Sequence, residues 1–167
     1  MKIYTCIFII LNLLILGSCK KVESKFPENI GDINFDPSLD RKDFKLCDSK
    51  NIVQYYSVNT DYKDGRKALY EEIYDKFRFN NDYITQSGIL TVRFVVNCEG
   101  KTDRFRVMEV DKNYQEKKFS PTFKTYIVDI IKSLSDWIPG EKDGKKYDSY
   151  MYITMQIGDG MIKTITP

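Results

Sequence analysis

The sequence predicts an α+β fold, two helices packed on one face of a small antiparallel sheet, and three observations carry that expectation. Residues 89–97 (ILTVRFVVN) and 147–157 (YDSYMYITMQI) alternate with period two, as a strand with one buried face does. The segments 69–77 and 123–134 instead space their apolar residues by three and four, which gives a helix a single apolar stripe. Turn-forming Gly, Pro, Asn and Asp residues separate these runs, in the order helix, strand, strand, helix, strand, strand.

Taken along the chain, Ile52–Tyr56 (IVQYY) reads as a short strand or an ordered lead-in. Asp64-Gly65 is placed to cap a helix whose apolar positions are Leu69, Tyr70, Ile73, Tyr74 and Phe77. Ser87-Gly88 opens a strand with Leu90, Val92, Phe94 and Val96 on one face. Asn97-Cys98-Glu99-Gly100-Lys101 is a turn in which Gly100 can take positive φ, and residues 102–110 return as the partner strand of a hairpin. Ser120-Pro121 starts a second helix, because serine caps and proline fits the first turn. Its stripe runs through Phe123, Ile127, Ile130, Ile131 and Leu134 towards Ile138, and Pro139-Gly140 ends it. After Asp143-Gly144 comes the long strand to Ile157, then Gly158-Asp159-Gly160 turns into a final short strand, 161–165.

Composition narrows function. Of 167 residues none is histidine, so Ser-His and Cys-His nucleophilic sites and His-bearing metal clusters are excluded. Residues 1–18 have the layout of a secretory leader: Lys2, an apolar stretch from Ile7 to Leu16, then small residues. The run is shorter than the roughly 20 apolar residues a bilayer span needs. Leu16-Gly17-Ser18-Cys19 looks like a bacterial lipobox, in which Cys19 is acylated and becomes the first residue. Acyl chains hold a protein on a membrane at roughly 0.8 kcal/mol per buried methylene. Removing the leader takes one lysine and no acid from a net charge of +2, so bulk charge gives no case for nucleic acid. Residues 19–45, polar and bearing Pro27 and Pro37, are expected as a flexible tether, and residues 46–167 as the folded domain.

With Cys6 lost in the leader and Cys19 acylated, Cys47 and Cys98 remain, as one disulfide or as two buried thiols. Two isolated cysteines lack the usual four-ligand set of a metal site, so no metal or cofactor is expected.

GILTVRFVVN (88–97), the EGK turn (99–101) and WIPGEKDGKKYDSYMYITMQI (137–157) resemble the C-terminal domain of TonB proteins, which fixes the expected fold more narrowly as TonB/TolA C-terminal-like. The specific part is Trp137-Ile138-Pro139-Gly140 followed by Gly144-Lys145 and a long strand. The chain also resembles a Bacteroidetes branch of lipoproteins whose hairpin turn bears a cysteine, as Cys98 does here. It departs from TonB in having a lipid anchor and a short tether in place of a transmembrane helix and a Pro-rich span. The Tyr-Pro element that precedes the family's first strand is also missing. Apart from the resemblance, Trp137 at the end of the expected helix reads either as a structural tryptophan covering the end of the core or as a ligand contact.

The function expected is therefore a non-catalytic interaction module in the cell envelope, held on the outer membrane and facing the periplasm. It pairs an extended segment of another envelope protein with a free sheet edge, either Tyr147–Ile157 or the terminal strand. Tyr150 and Tyr152 are the candidate contact residues, unless they pack beneath a helix. Two alternatives stand beside it. One is a fixed subunit of an outer-membrane assembly. The other is a carboxylate-based hydrolase drawing on Glu71, Glu72 or Asp103.

Overall fold

The computed structural model describes residues 31–166. The expected leader, Cys19 and the first part of the expected tether lie outside the described residues. Among the described residues no helix is long and apolar enough to cross a membrane.

The elements are β1 (Val53–Gln54), α1 (Tyr55–Val58), β2 (Asp61–Tyr62), α2 (Gly65–Lys76), β3 (Gly88–Val96), β4 (Thr102–Val110) and α3 (Pro121–Lys132). They continue with β5 (Trp137–Ile138), β6 (Gly140–Lys142), β7 (Lys145–Tyr147), β8 (Ser149–Gly158) and β9 (Met161–Thr166). The main sheet runs β1-β8-β3-β4, with β9 also on β8. Every pairing in it is antiparallel except β1 on β8, so the sheet is mixed at one corner. The period-two strands and the two amphipathic helices form as their patterns require, and the α+β class holds.

One face of the sheet carries the core. Leu90, Val92 and Phe94 of β3 stand opposite Met155, Ile153 and Met151 of β8. Leu69 and Ile73 of α2 and Phe123, Ile127, Ile130 and Ile131 of α3 close over them. Full burial of each such side chain is worth roughly 1.5–3 kcal/mol. Ser120 caps α3 by accepting the Phe123 N–H, with Pro121 at its first turn. Asp64 does not cap α2 with its side chain; it takes a left-handed conformation, φ 60°, and only redirects the chain.

Helix α3 stops at Lys132, short of the expected exit at Trp137. The stripe misleads here because Ile138 falls in register with it by chance, yet proline at 139 disfavours helical φ/ψ in the residue before it. Trp137 and Ile138 are instead extended and pair with Tyr62 and Asp61. The Trp137 ring lies edge-on to Tyr62 and Phe94, 5% exposed, so it is a core residue rather than a ligand contact. Pro139 and Gly140 are structural in the same sense. A Cβ on Gly100 (φ 78°) would lie 2.5 Å from the Trp137 carbonyl oxygen, and one on Gly140 would collide with Val58 Cγ2 and lie 2.6 Å from Thr60 Oγ1. The turn thus packs on the Trp137 backbone, and the Gly140 backbone packs on the side chains of Val58 and Thr60. Gly140→Ala is expected to cost about 2–3 kcal/mol by overpacking, read from the urea midpoint of the full chain; a loss under about 0.5 kcal/mol contradicts this packing.

The other face of the sheet is where the expected boundary moves. Residues 31–45, read from sequence as tether, lie on the back of the sheet as an irregular strap. Ile33 packs with Val95 and Tyr150, flanked by Phe44, Leu46 and Ile52. Three arginines donate to strap carbonyls: Arg93 to Gly31 (2.9 Å), Arg104 to Ile33 (3.2 Å) and Arg106 to Asn34 (2.7 Å). Arg106 also makes two bonds, 2.7 and 2.8 Å, to the buried Asp40 carboxylate. A polar segment without an apolar stripe becomes part of the fold because the sheet holds its backbone carbonyls, the Asp40 carboxylate and the buried apolar anchor Ile33.

A candidate interaction rim on the open side of the sheet

The strand expected as an edge is the centre of the sheet. β8 pairs with β3 from Ser149 to Ile157 on one side and with β1 and β9 on the other. Its row Met151, Ile153 and Met155 is covered by the helices in front, and Tyr150 by the strap behind. Tyr150 is correspondingly buried, 6% exposed, with its hydroxyl 3.3 Å from Asp32 Oδ1, and is unavailable to a partner. Burial pushes its phenol above the ordinary value, with the Asp32 charge adding to the effect.

Two long edges remain. On β4 the outer side is blunted at both ends. A bulge interrupts its pairing opposite Phe94, with Arg104 at φ 60°. The Thr102 carbonyl accepts from Arg41 (3.1 Å). At the far end the chain folds back so that Val110 bridges Glu116, and the Glu109 carbonyl accepts from Lys117 N (3.2 Å). Glu109 itself, buried, holds this excursion by accepting from Phe119 N and Lys124 Nζ. Bulges and covering segments are the usual devices that keep a strand edge from pairing.

β9 is bulged as well, its pairing with β8 shifting at Lys163, but among the described residues no further segment pairs with its outer side. Ile162 and Ile165 point into the core and are 7% exposed, while Met161, Lys163, Thr164 and Thr166 are exposed. Its one lysine lies back over the preceding turn: Lys163 Cε is 2.8 Å from where a Gly158 Cβ would sit, and Nζ is 3.9 Å from Asp159. At the turn end the exposed Ile84 and Met161 flank the strand, and a Cβ on Gly160 would meet the Tyr83–Ile84 backbone.

At the opposite end of β9 the described strands leave a gap beside β8. β1 pairs as far as Tyr150 and β9 as far as Thr154, so among the described residues Met151, Tyr152 and Ile153 have no strand partner on that side. The half-buried Tyr152 meets Tyr55 edge to face, ring centroids 5.6 Å apart, and Tyr55 meets the exposed Tyr56 at 5.4 Å. A cleft of ≈ 210 Å³ opens there, lined by Tyr55, Tyr56, Asp61, Arg66 and Met151 among others. Burial, then the neighbouring Tyr152 hydroxyl, raises the Tyr55 phenol above its ordinary value, so it stays protonated. Sequence reasoning placed Tyr152 but not Tyr55, Tyr56 or Arg66, which reach the gap only because β1 lies parallel to β8.

Of the carboxylates weighed for catalysis, Glu71 is exposed beside Lys67, Glu72 accepts the Tyr62 hydroxyl (2.6 Å), and Asp103 takes the Arg41 N–H from the strap. Glu71 and Glu72 lie on α2 and Asp103 on the back of β4, so they do not form an acid-base pair across one cleft. Cys47 and Cys98 are joined as a disulfide, Cα atoms 6.1 Å apart. No family model matches the chain, and neither a curated protein nor a solved structure matches it.

Proposed function

We propose that this protein is an envelope lipoprotein, anchored through Cys19, whose domain captures an extended segment of another envelope protein by adding it as a strand to β9. The arrangement of two helices over a sheet, with the Trp-Pro-Gly segment packed on an acidic-Gly-Lys hairpin turn, supports a TonB C-terminal-like assignment. The observation that carries the reading is the asymmetry of the two edges: both strands are bulged, but β4 is capped at both ends, whereas among the described residues nothing caps the outer side of β9. Backbone N–H and C=O groups on an open edge give a peptide strand its hydrogen bonds, and flanking pockets give it selectivity. Tyr55, Tyr56, Tyr152 and Arg66 at one end of β9 are of the residue types that concentrate binding energy at interfaces. Ile84 and Met161 offer apolar contact at the other end.

Photoreactive residues placed in cells at Thr164 on β9 and at Met108 on β4, both exposed, test the reading. Crosslinks to one protein from Thr164 and not from Met108 are expected, with Tyr152→Ser weakening capture by roughly tenfold. Crosslinks from Met108 alone, or equally from both, contradict it.

A further inference from the structure

We propose that Cys47, Cys98 and Asp148, once the disulfide is reduced, bind one thiophilic divalent cation, of which Zn²⁺ is the natural case. The two sulfurs and an Asp148 carboxylate oxygen all lie within 4.8 Å of one another. Asp148 is 1% exposed, and among the described residues no lysine or arginine forms an ion pair with it. Its oxygens accept from the backbone N–H of Asp48 (2.7 Å) and of Cys98 (3.0 Å). A carboxylate withdrawn from water without a counter-charge is costly. Two N–H bonds occupy only half of its roughly four lone-pair sites. The remaining lone pairs are available on a group whose orientation is already fixed by bonds from the N–H of Cys98 itself and of Asp48, next to Cys47, the arrangement that holds a metal-binding carboxylate in place.

The geometry needs little movement. Tetrahedral coordination at Zn–S of about 2.3 Å puts two sulfurs roughly 3.8 Å apart. Cα atoms 6.1 Å apart accommodate that by side-chain rotation, and Cys47 is exposed. Two sulfurs and one carboxylate leave a fourth position for water. The chemistry balances with a dithiol as reductant: it gives two electrons and two protons to the disulfide and closes to its own cyclic disulfide. The cation then displaces two thiol protons. The disulfide ties the end of the strap to the β3–β4 turn, and the metal would tie the same two segments when the disulfide is open. This inference is independent of what binds β9.

The test uses the full chain, reduced by a dithiol that is removed by gel filtration without oxygen, and titrated with Co²⁺ as a spectroscopic probe and then with Zn²⁺. One equivalent of Co²⁺ is expected to give thiolate charge-transfer absorption in the reduced protein and none in the oxidised. Cys47→Ser should abolish the band, and Asp148→Asn, with folding verified in its oxidised form, should weaken binding at least tenfold. X-ray absorption of the wild-type Zn²⁺ complex covers the case in which Asp148→Asn does not fold: two sulfurs and lighter oxygen neighbours are expected. No thiolate band, binding unchanged within twofold in Asp148→Asn, or a shell without two sulfurs overturns the proposal.

Discussion

Replacing Cys47 and Cys98 together by serine is expected to lower the unfolding free energy by about 4 kcal/mol, on the chain-entropy account of a cross-link between residues 51 apart. The bond joins the end of the strap to the turn between β3 and β4, where Asn97 also donates to the Lys45 carbonyl (2.9 Å). That turn is tightly built: Asn97 Oδ1 accepts from Glu99 and Lys101 N–H, and Gly100 lies against the Trp137 carbonyl. The native turn therefore survives the substitution, and the effect falls on the unfolded chain, which gains freedom. Denaturant unfolding of the full chain, compared with the double variant, checks this. A difference under about 1 kcal/mol contradicts it.

Arg106→Leu is expected to cost about 3 kcal/mol at neutral pH, because it leaves the Asp40 carboxylate, whose side chain is 1% exposed, buried without its cation. The size of the loss depends on pH with a definite sign. The Arg106 guanidinium holds the Asp40 carboxyl below its ordinary value of 3.8, against the opposing effect of burial. A lowered folded-state value means that this pair's stabilisation is complete above about pH 4 and is lost as pH falls through the folded value. Without Arg106, burial opposes ionisation and protonation relieves the buried charge. The gap between wild type and variant should therefore narrow as the pH drops from 7 to below 4. A gap that stays constant over that range, or is under 1 kcal/mol at pH 7, would show that the strap is not held by this pair.

How legible the fold was follows from what carries each element. β3 and the core-facing half of β8 were readable because Leu90, Val92, Phe94, Met151, Ile153 and Met155 alternate against one covered face. The helices were readable because Leu69–Ile73 and Phe123–Ile131 keep their stripe. The place of β8 in the sheet was not readable. A period of two says which face is buried, and nothing in it says how many neighbours the backbone has. The strap was hidden for a related reason: arginines on Gly31, Ile33 and Asn34 carbonyls leave no side-chain pattern in the segment they hold. Asp148 was one acid in a strand until the fold placed it beside both cysteines. Of the rim, Tyr152 was found by alternation. Tyr55, Tyr56 and Arg66 join it across about 100 residues of sequence, a relation that only the parallel pairing of β1 creates.

If β9 receives another backbone, hydrogen exchange of its own amides reports the event. With the crosslinked partner's segment supplied as a synthetic peptide, amides within Met161–Thr166 should slow, while those of β4 between the bulge and Val110 stay unchanged. Protection confined to β4, or a bound peptide that leaves every β9 amide exchanging as in the free protein, would contradict the account.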